Sequence, residues 1–185
     1  MKSSLNLVFW GYLFVLLRFE IGIDILPDPV GYFLIALGCF GLREHYPIAQ
    51  KAGMLAVGMI FVSIPTVFVN LIEVSSFGWG VYAIVLLFLK LILAYFLFLI
   101  LKSIVADYDH TALIHRTNTV YTFYITLNLL SLAFTSFSMN VSGQFWVVFG
   151  GLLIIATFIM EIVFLFLIRA IRKAVPVQVN SIIEV

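Results

Sequence analysis

The sequence predicts an all-α fold, a single polytopic membrane bundle of six transmembrane helices, and three observations carry that prediction. Hydrophobic residues make up 64% of the 185-residue chain and charged residues 10%, whereas a soluble domain has roughly 45–50% apolar and about 25% charged residues. The apolar residues fall in continuous runs, which excludes the alternating pattern of a membrane β-barrel. Six of these runs approach the length of about 20 residues that a helix needs to cross about 30 Å of hydrocarbon. The formal net charge of +1 leaves no electrostatic footprint for nucleic acid. The single cysteine, Cys39, excludes an intrachain disulfide and a cysteine-based metal cluster.

The first run, 5–25, follows Lys2 and passes into Arg18-Phe19-Glu20 without a small-residue cleavage site, which reads as a retained span rather than a secretory signal. Pro27 drives Leu26 out of helical conformation and ends it. The second run, 29–46, restarts at once, with Asp28 as N-cap and Pro29 at the first helical position, where its missing donor costs nothing. Pro47 stops it after about 27 Å at 1.5 Å per residue. That is slightly short, which draws the 24–29 turn to the outer interface or just below it. Gly31, Gly38 and Gly41 in this span favour close helix approach.

In the third run, 52–72, Ala52, Ala56, Met59, Ser63, Thr66, Asn70 and Glu73 recur at alternating steps of four and three and so share one helical face. Small at one end and increasingly polar toward the other, that face suits either a packing seam or the wall of an outward-facing cavity, with a kink expected at Pro65. The fourth run, 79–101, has no such stripe apart from Lys90 and Ala94 and is expected nearest to lipid. The fifth, 118–138, carries Tyr121, Tyr124, Asn128, Ser131, Thr135 and Ser138 on one face and is expected to be buried among its neighbours. The sixth, 145–168, places Gly150, Thr157 and Glu161 on one side, and its Gly150-Gly151 pair suggests close packing or a bend.

Lysine and arginine placement sets the orientation. Lys2, Arg43, Lys51, Lys102, Arg116, Arg169, Arg172 and Lys173 all fall on one side of a six-span arrangement, so both termini are expected in the cytoplasm. The opposite connections carry only the acids Asp24, Asp28 and Glu73. Arg18, Glu20, Lys90 and Glu161 are expected inside spans, where a charge costs at least about 2.5–3.5 kcal/mol and seeks a partner. Lys90 is placed between the levels of Glu20 and Glu161, within reach of either. Interhelical ion pairing that fixes packing, and a relay or substrate-facing charge, are both open readings of these residues.

Soluble catalytic signatures are absent, with no G-x-S-x-G, H-E-x-x-H, P-loop or G-x-G-x-x-G. The "DYDHTALIHRTN" connection holds Asp107, Asp109, His110 and His115 at spacings that match no metal site, and it reads as a polar connection. No metal or other cofactor is expected. The basic "RAIRKAV" end is expected to meet an anionic leaflet.

"DILPDPVGYFLIALGCFGL" resembles the first hairpin of an uncharacterised family of small multi-spanning bacterial membrane proteins, through Asp24, Pro27, Asp28, Gly31 and Tyr32. Pro29 departs from the large apolar residue usual there. The resemblance covers the first quarter of the chain, and it implies a bacterial plasma-membrane location without a mechanism. The expected function is a non-enzymatic accessory or regulatory membrane subunit that contacts lipid and a membrane-protein partner. Its outward polar region would comprise Arg18, Glu20, Asp24, Asp28, Asn70 and Glu73. The alternative is a small-solute or ion-coupled transporter using Glu20, Lys90 and Glu161, and an intramembrane enzyme ranks third.

Overall fold

The computed structural model describes residues 1–16, 20–21, 23–24, 28–68, 77–108, 110–138 and 143–175. Among them are six helices: α1 (Lys2–Leu16), α2 (Asp28–Phe40), α3 (Pro47–Phe68), α4 (Phe77–Asp107), α5 (Thr111–Ser138) and α6 (Gln144–Ala174). Four of these, α3 to α6, are long and apolar enough to cross a membrane, and the chain is a helical-bundle membrane protein. Helices adjacent in sequence pack together, and the bundle closes where α6 reaches α1 and α4.

The first span ends earlier than the hydropathy predicts. In place of a helix continuing to residue 25, Glu20–Ile21 pairs antiparallel with Ile23–Asp24, with Glu20 opposite Asp24 and Ile21 opposite Ile23. The stretch "EIGIDI" alternates β-branched isoleucine with glycine or aspartate at period two, a strand pattern that a running hydropathy sum does not register. Glu20 therefore does not sit inside a helical span. The second helix is also shorter than expected. It stops at Phe40, and the chain runs on to Tyr46 through tight turns such as Leu42 N–H to Cys39 O (3.0 Å) and His45 N–H to Leu42 O (3.2 Å). Gly41 directly follows the last helical residue, where helices often end.

The α1/α2 pair is built on backbone contact. A Cβ added to Gly11 would stand 2.6 Å from the carbonyl oxygen of Gly31, and one added to Gly31 would stand 2.8 Å from that of Gly11. One turn pair further on, a Cβ on Gly38 would meet Val8 Cγ2 at 2.6 Å and the Ser4 carbonyl at 2.7 Å. No side chain larger than hydrogen fits at these crossings. The close approach expected of Gly31, Gly38 and Gly41 is thus observed, and Gly11 and Ser4 of α1 complete it.

On α3, Ala52, Ala56, Met59 and Ser63 are all fully buried, as a packing seam requires. Pro65 lies inside this helix. The Tyr82 hydroxyl of α4 donates to the Val62 carbonyl, in the turn that Pro65 disturbs.

Helices α4 and α5 reverse the expected roles. Leu93, Ala94, Leu97, Phe98, Leu101, Ile104 and Val105 of α4 are buried, making it a central helix in contact with α3, α5 and α6. In α5 only Thr117, Val120 and Tyr124 are buried among the described residues, while Phe123, Leu129, Leu130 and Phe137 are exposed. Apart from Tyr124, which reaches α1 and α6, several polar side chains of α5 bond their own helix. Thr122 Oγ1 donates to Asn118 O (3.1 Å), Asn128 Nδ2 to Tyr124 O (3.0 Å), Thr135 Oγ1 to Ser131 O (2.9 Å) and Ser136 Oγ to Leu132 O (2.9 Å). A hydroxyl satisfied this way can face lipid, so polarity on a membrane helix does not by itself mark the buried side.

Candidate functional site

Four helices converge on one carboxylate. Glu161 on α6 is 4% exposed. Its Oε1 lies 3.0 Å from Lys90 Nζ of α4 and accepts from the Tyr124 hydroxyl of α5 at 3.0 Å. Its Oε2 accepts a hydrogen bond from the Tyr12 hydroxyl of α1. The two phenol oxygens are themselves 2.6 Å apart. Of the two partners open to Lys90 from its sequence level, Glu161 is therefore the one it meets.

Each helix delivers its residue by simple periodicity. Tyr12 continues the buried face of α1 formed by Leu5, Val8 and Val15, at steps of three and four. Glu161 lies on the buried α6 face with Phe164, Leu165 and Ile168. Lys90, Tyr124 and Glu161 each sit within about two residues of the midpoint of helices of 31, 28 and 31 residues, which places the cluster at mid-depth.

Aromatic rings wall the site. Phe164 meets the Tyr12 ring edge-on at 4.7 Å, and Phe98 lies 4.5 Å from Phe164 and 5.4 Å from Tyr124. Rings exclude water and lower the local dielectric, which strengthens attraction between opposite charges and makes an unpaired charge costly. Lys90 closes the site on one side. It is a quarter exposed and stands 5.9 Å from the centroid of the Tyr12 ring.

The proton inventory constrains the chemistry. Each phenol carries one O–H, yet two phenols and a carboxylate share three contacts. Two protons serve three contacts. Three arrangements follow, one in which both phenols donate to the carboxylate and two in which one phenol donates to its fellow, and a third proton on the carboxyl would satisfy all three contacts at once.

One further group lies on this face of α6. Thr157, one turn from Glu161, has a buried Oγ1 with no hydrogen-bond partner among the described residues. In α5 the corresponding hydroxyls bond back to their own helix.

The outer polar region expected from the sequence is met only in part. Arg18, Asn70 and Glu73 lie outside the described residues, and for Glu20 and Asp24 only the backbone is described. Asp28 heads α2 and is buried, consistent with its place at the Pro29-initiated start. No group of three or more metal-ligating side chains occurs among the described residues.

Sequence reasoning located Lys90 and Glu161 but not the phenols that complete their site. Tyr124 stands in the α5 polar stripe without a role, and Tyr12 is the one hydroxyl in the apolar run 5–25. The available signal was that a buried phenol needs a partner and that both tyrosines fall at the depth of an unpaired charge. Comparison of the chain with protein-family models, with curated proteins and with solved structures finds no match.

Proposed function

We propose that this chain is a non-enzymatic accessory or regulatory subunit of a bacterial plasma membrane, in which the interior charges lock the helices and the outer surface meets a partner. The observation that supports this reading is the saturation of Glu161 by donors from three other helices. A carboxylate so engaged acts as a clasp. Six membrane-embedded helices with both termini cytoplasmic fit the lysine and arginine pattern. The short α1 and α2, about 22 and 20 Å long at 1.5 Å per residue, fit that orientation whether they cross fully or re-enter, because a hairpin returns the chain to the side it left. The resemblance of the first hairpin to small bacterial membrane proteins supports the location.

The test is photo-crosslinking of the full chain in its native membrane from exposed positions such as Phe123 and Ile155. A single recurrent partner protein supports the reading, whereas recovery only as a free monomer overturns it.

A carrier is the second reading, supported by three features of the site. The ion pair sits at mid-depth, where transporters bind substrates. The phenol triangle has three proton arrangements, and Thr157 adds a hydroxyl without a hydrogen-bond partner among the described residues on the same helix face. If this reading holds, proteoliposomes show solute- or proton-coupled flux that Lys90→Met and Glu161→Gln abolish. Wild-type vesicles with no flux eliminate it.

A further inference from the structure

A second constellation lies away from the Glu161 cluster, at the end of the bundle that holds the 107–111 connection and the end of α6. Arg116 of α5 and Arg169 and Lys173 of α6 line a cleft of about 410 Å³ together with Val163, Phe166 and Ala170. Arg116 is five residues from the start of α5 and Arg169 five from the end of α6, so the two guanidinium-bearing positions stand at one level on neighbouring antiparallel helices. No acidic side chain lines the cleft among the described residues. This concentration of like charge calls for an anion.

The rest of the lining limits which anion. Val163, Phe166, Arg169 and Lys173 follow one another at steps of three and four along one α6 face. Val163 therefore lies about 9 Å deeper toward the bundle centre than Arg169. A ligand that fills the cleft has a negative head at the arginines and an apolar part beside Val163 and the half-exposed Phe166. A free inorganic anion would use only the upper half.

We propose that the α5/α6 cleft binds an anionic phospholipid, with its phosphate held by Arg116, Arg169 and Lys173 and an acyl chain lying along Val163 and Phe166. Charge complementarity selects the headgroup, since three cations within about one helical turn of each other match a lipid with net negative charge and leave a zwitterionic headgroup with an uncompensated ammonium. The fork of each guanidinium suits phosphate oxygens, which distinguishes this pair from lysines that merely follow the leaflet's potential.

The test is lipid retention by the detergent-purified full chain, read by native mass spectrometry after addition of phosphatidylglycerol or phosphatidylcholine. Phosphatidylglycerol is expected to be retained preferentially. Arg116→Gln and Arg169→Gln should each lower its retention about five-fold, and Lys51→Gln, at an exposed basic residue on α3, should leave it unchanged. Equal retention of both lipids overturns the proposal. So does a loss from Lys51→Gln as large as that from the arginine variants, which would show general surface attraction. Displacement of the lipid by millimolar inorganic phosphate would assign the cleft to a free anion instead. Both arginines are exposed, and an unchanged melting transition in lipid-free detergent separates weakened binding from misfolding. A variant that fails this control is replaced by Lys173→Gln, for which the same loss is expected and wild-type retention overturns the site.

Discussion

The α1/α2 hairpin and the α5/α6 hairpin solve one problem by different means. Lipid tails are as apolar as leucine, so burial alone does not bring membrane helices together. The first pair associates by backbone contact, Gly11 against Gly31 and Gly38 against Ser4 and Val8, at distances that leave no space for a methyl group. The second pair keeps large exposed side chains such as Phe137, Phe145, Ile154 and Ile155. It is joined by Phe134 lying over Gly150 and by the hydrogen bond from Tyr124 to Glu161. Close backbone contact holds one hairpin, and ring packing with one buried polar contact holds the other. The contrast meets at Glu161, where Tyr12 from the first pair joins Tyr124 from the second.

This difference predicts a graded set of responses, and the largest belongs to the polar clasp. Glu161→Ala leaves Lys90 without its buried partner and should cost about 3–5 kcal/mol of stability, read as a loss of folded protein in a detergent denaturation series. The double change Lys90→Met with Glu161→Leu should recover most of that loss. Failure to recover would show that Glu161 matters for something other than pairing.

Next come the glycine crossings. Gly11→Ala forces the α1 and α2 backbones apart and should cost about 1–3 kcal/mol. Gly58→Ala and Gly151→Ala, where an added Cβ meets nothing within 4 Å, should be neutral, or stabilising by up to about 1 kcal/mol through helix propensity. Equal effects at Gly11 and Gly151 would break the comparison between the hairpins.

Tyr12→Phe and Tyr124→Phe each remove one charge-assisted hydrogen bond and should cost about 1.5–3 kcal/mol at most, less if the remaining phenol takes over the carboxylate. Their sum should exceed the loss in the double variant, because the two hydroxyls share one acceptor and one another. The smallest response is expected on α5. Ser136→Ala should change stability by less than about 0.5 kcal/mol, since this exposed hydroxyl bonds only its own helix.

Much of this arrangement was legible before the fold was in hand, but unevenly. The step of three and four that marked Ala52, Ala56, Met59 and Ser63 as one face corresponds to a buried seam, because small residues in such a stripe have few other uses. The stripe on α5 obeys the same periodicity, yet of its described side chains only Tyr124 is buried, and Tyr121, Asn128, Ser131 and Thr135 are half-buried. Its polar atoms also find partners of different kinds, since Tyr124 reaches Glu161 on α6 whereas Asn128 donates to a carbonyl of its own helix. Glu20 illustrates a further limit. Its surroundings are apolar enough to count as a span, yet the alternation of isoleucines about it sets an extended pair.

Local chemistry therefore settled what each segment is: composition fixed the membrane class, Asp28-Pro29 the start of α2, and periodicity the face on which Tyr12, Tyr124 and Glu161 lie. The tertiary structure decided which faces meet. A helix specifies the direction of its side chains relative to its own axis and says nothing of its rotation against another helix, so the meeting of two phenols and an ammonium on one carboxylate emerges only when four helices take their places.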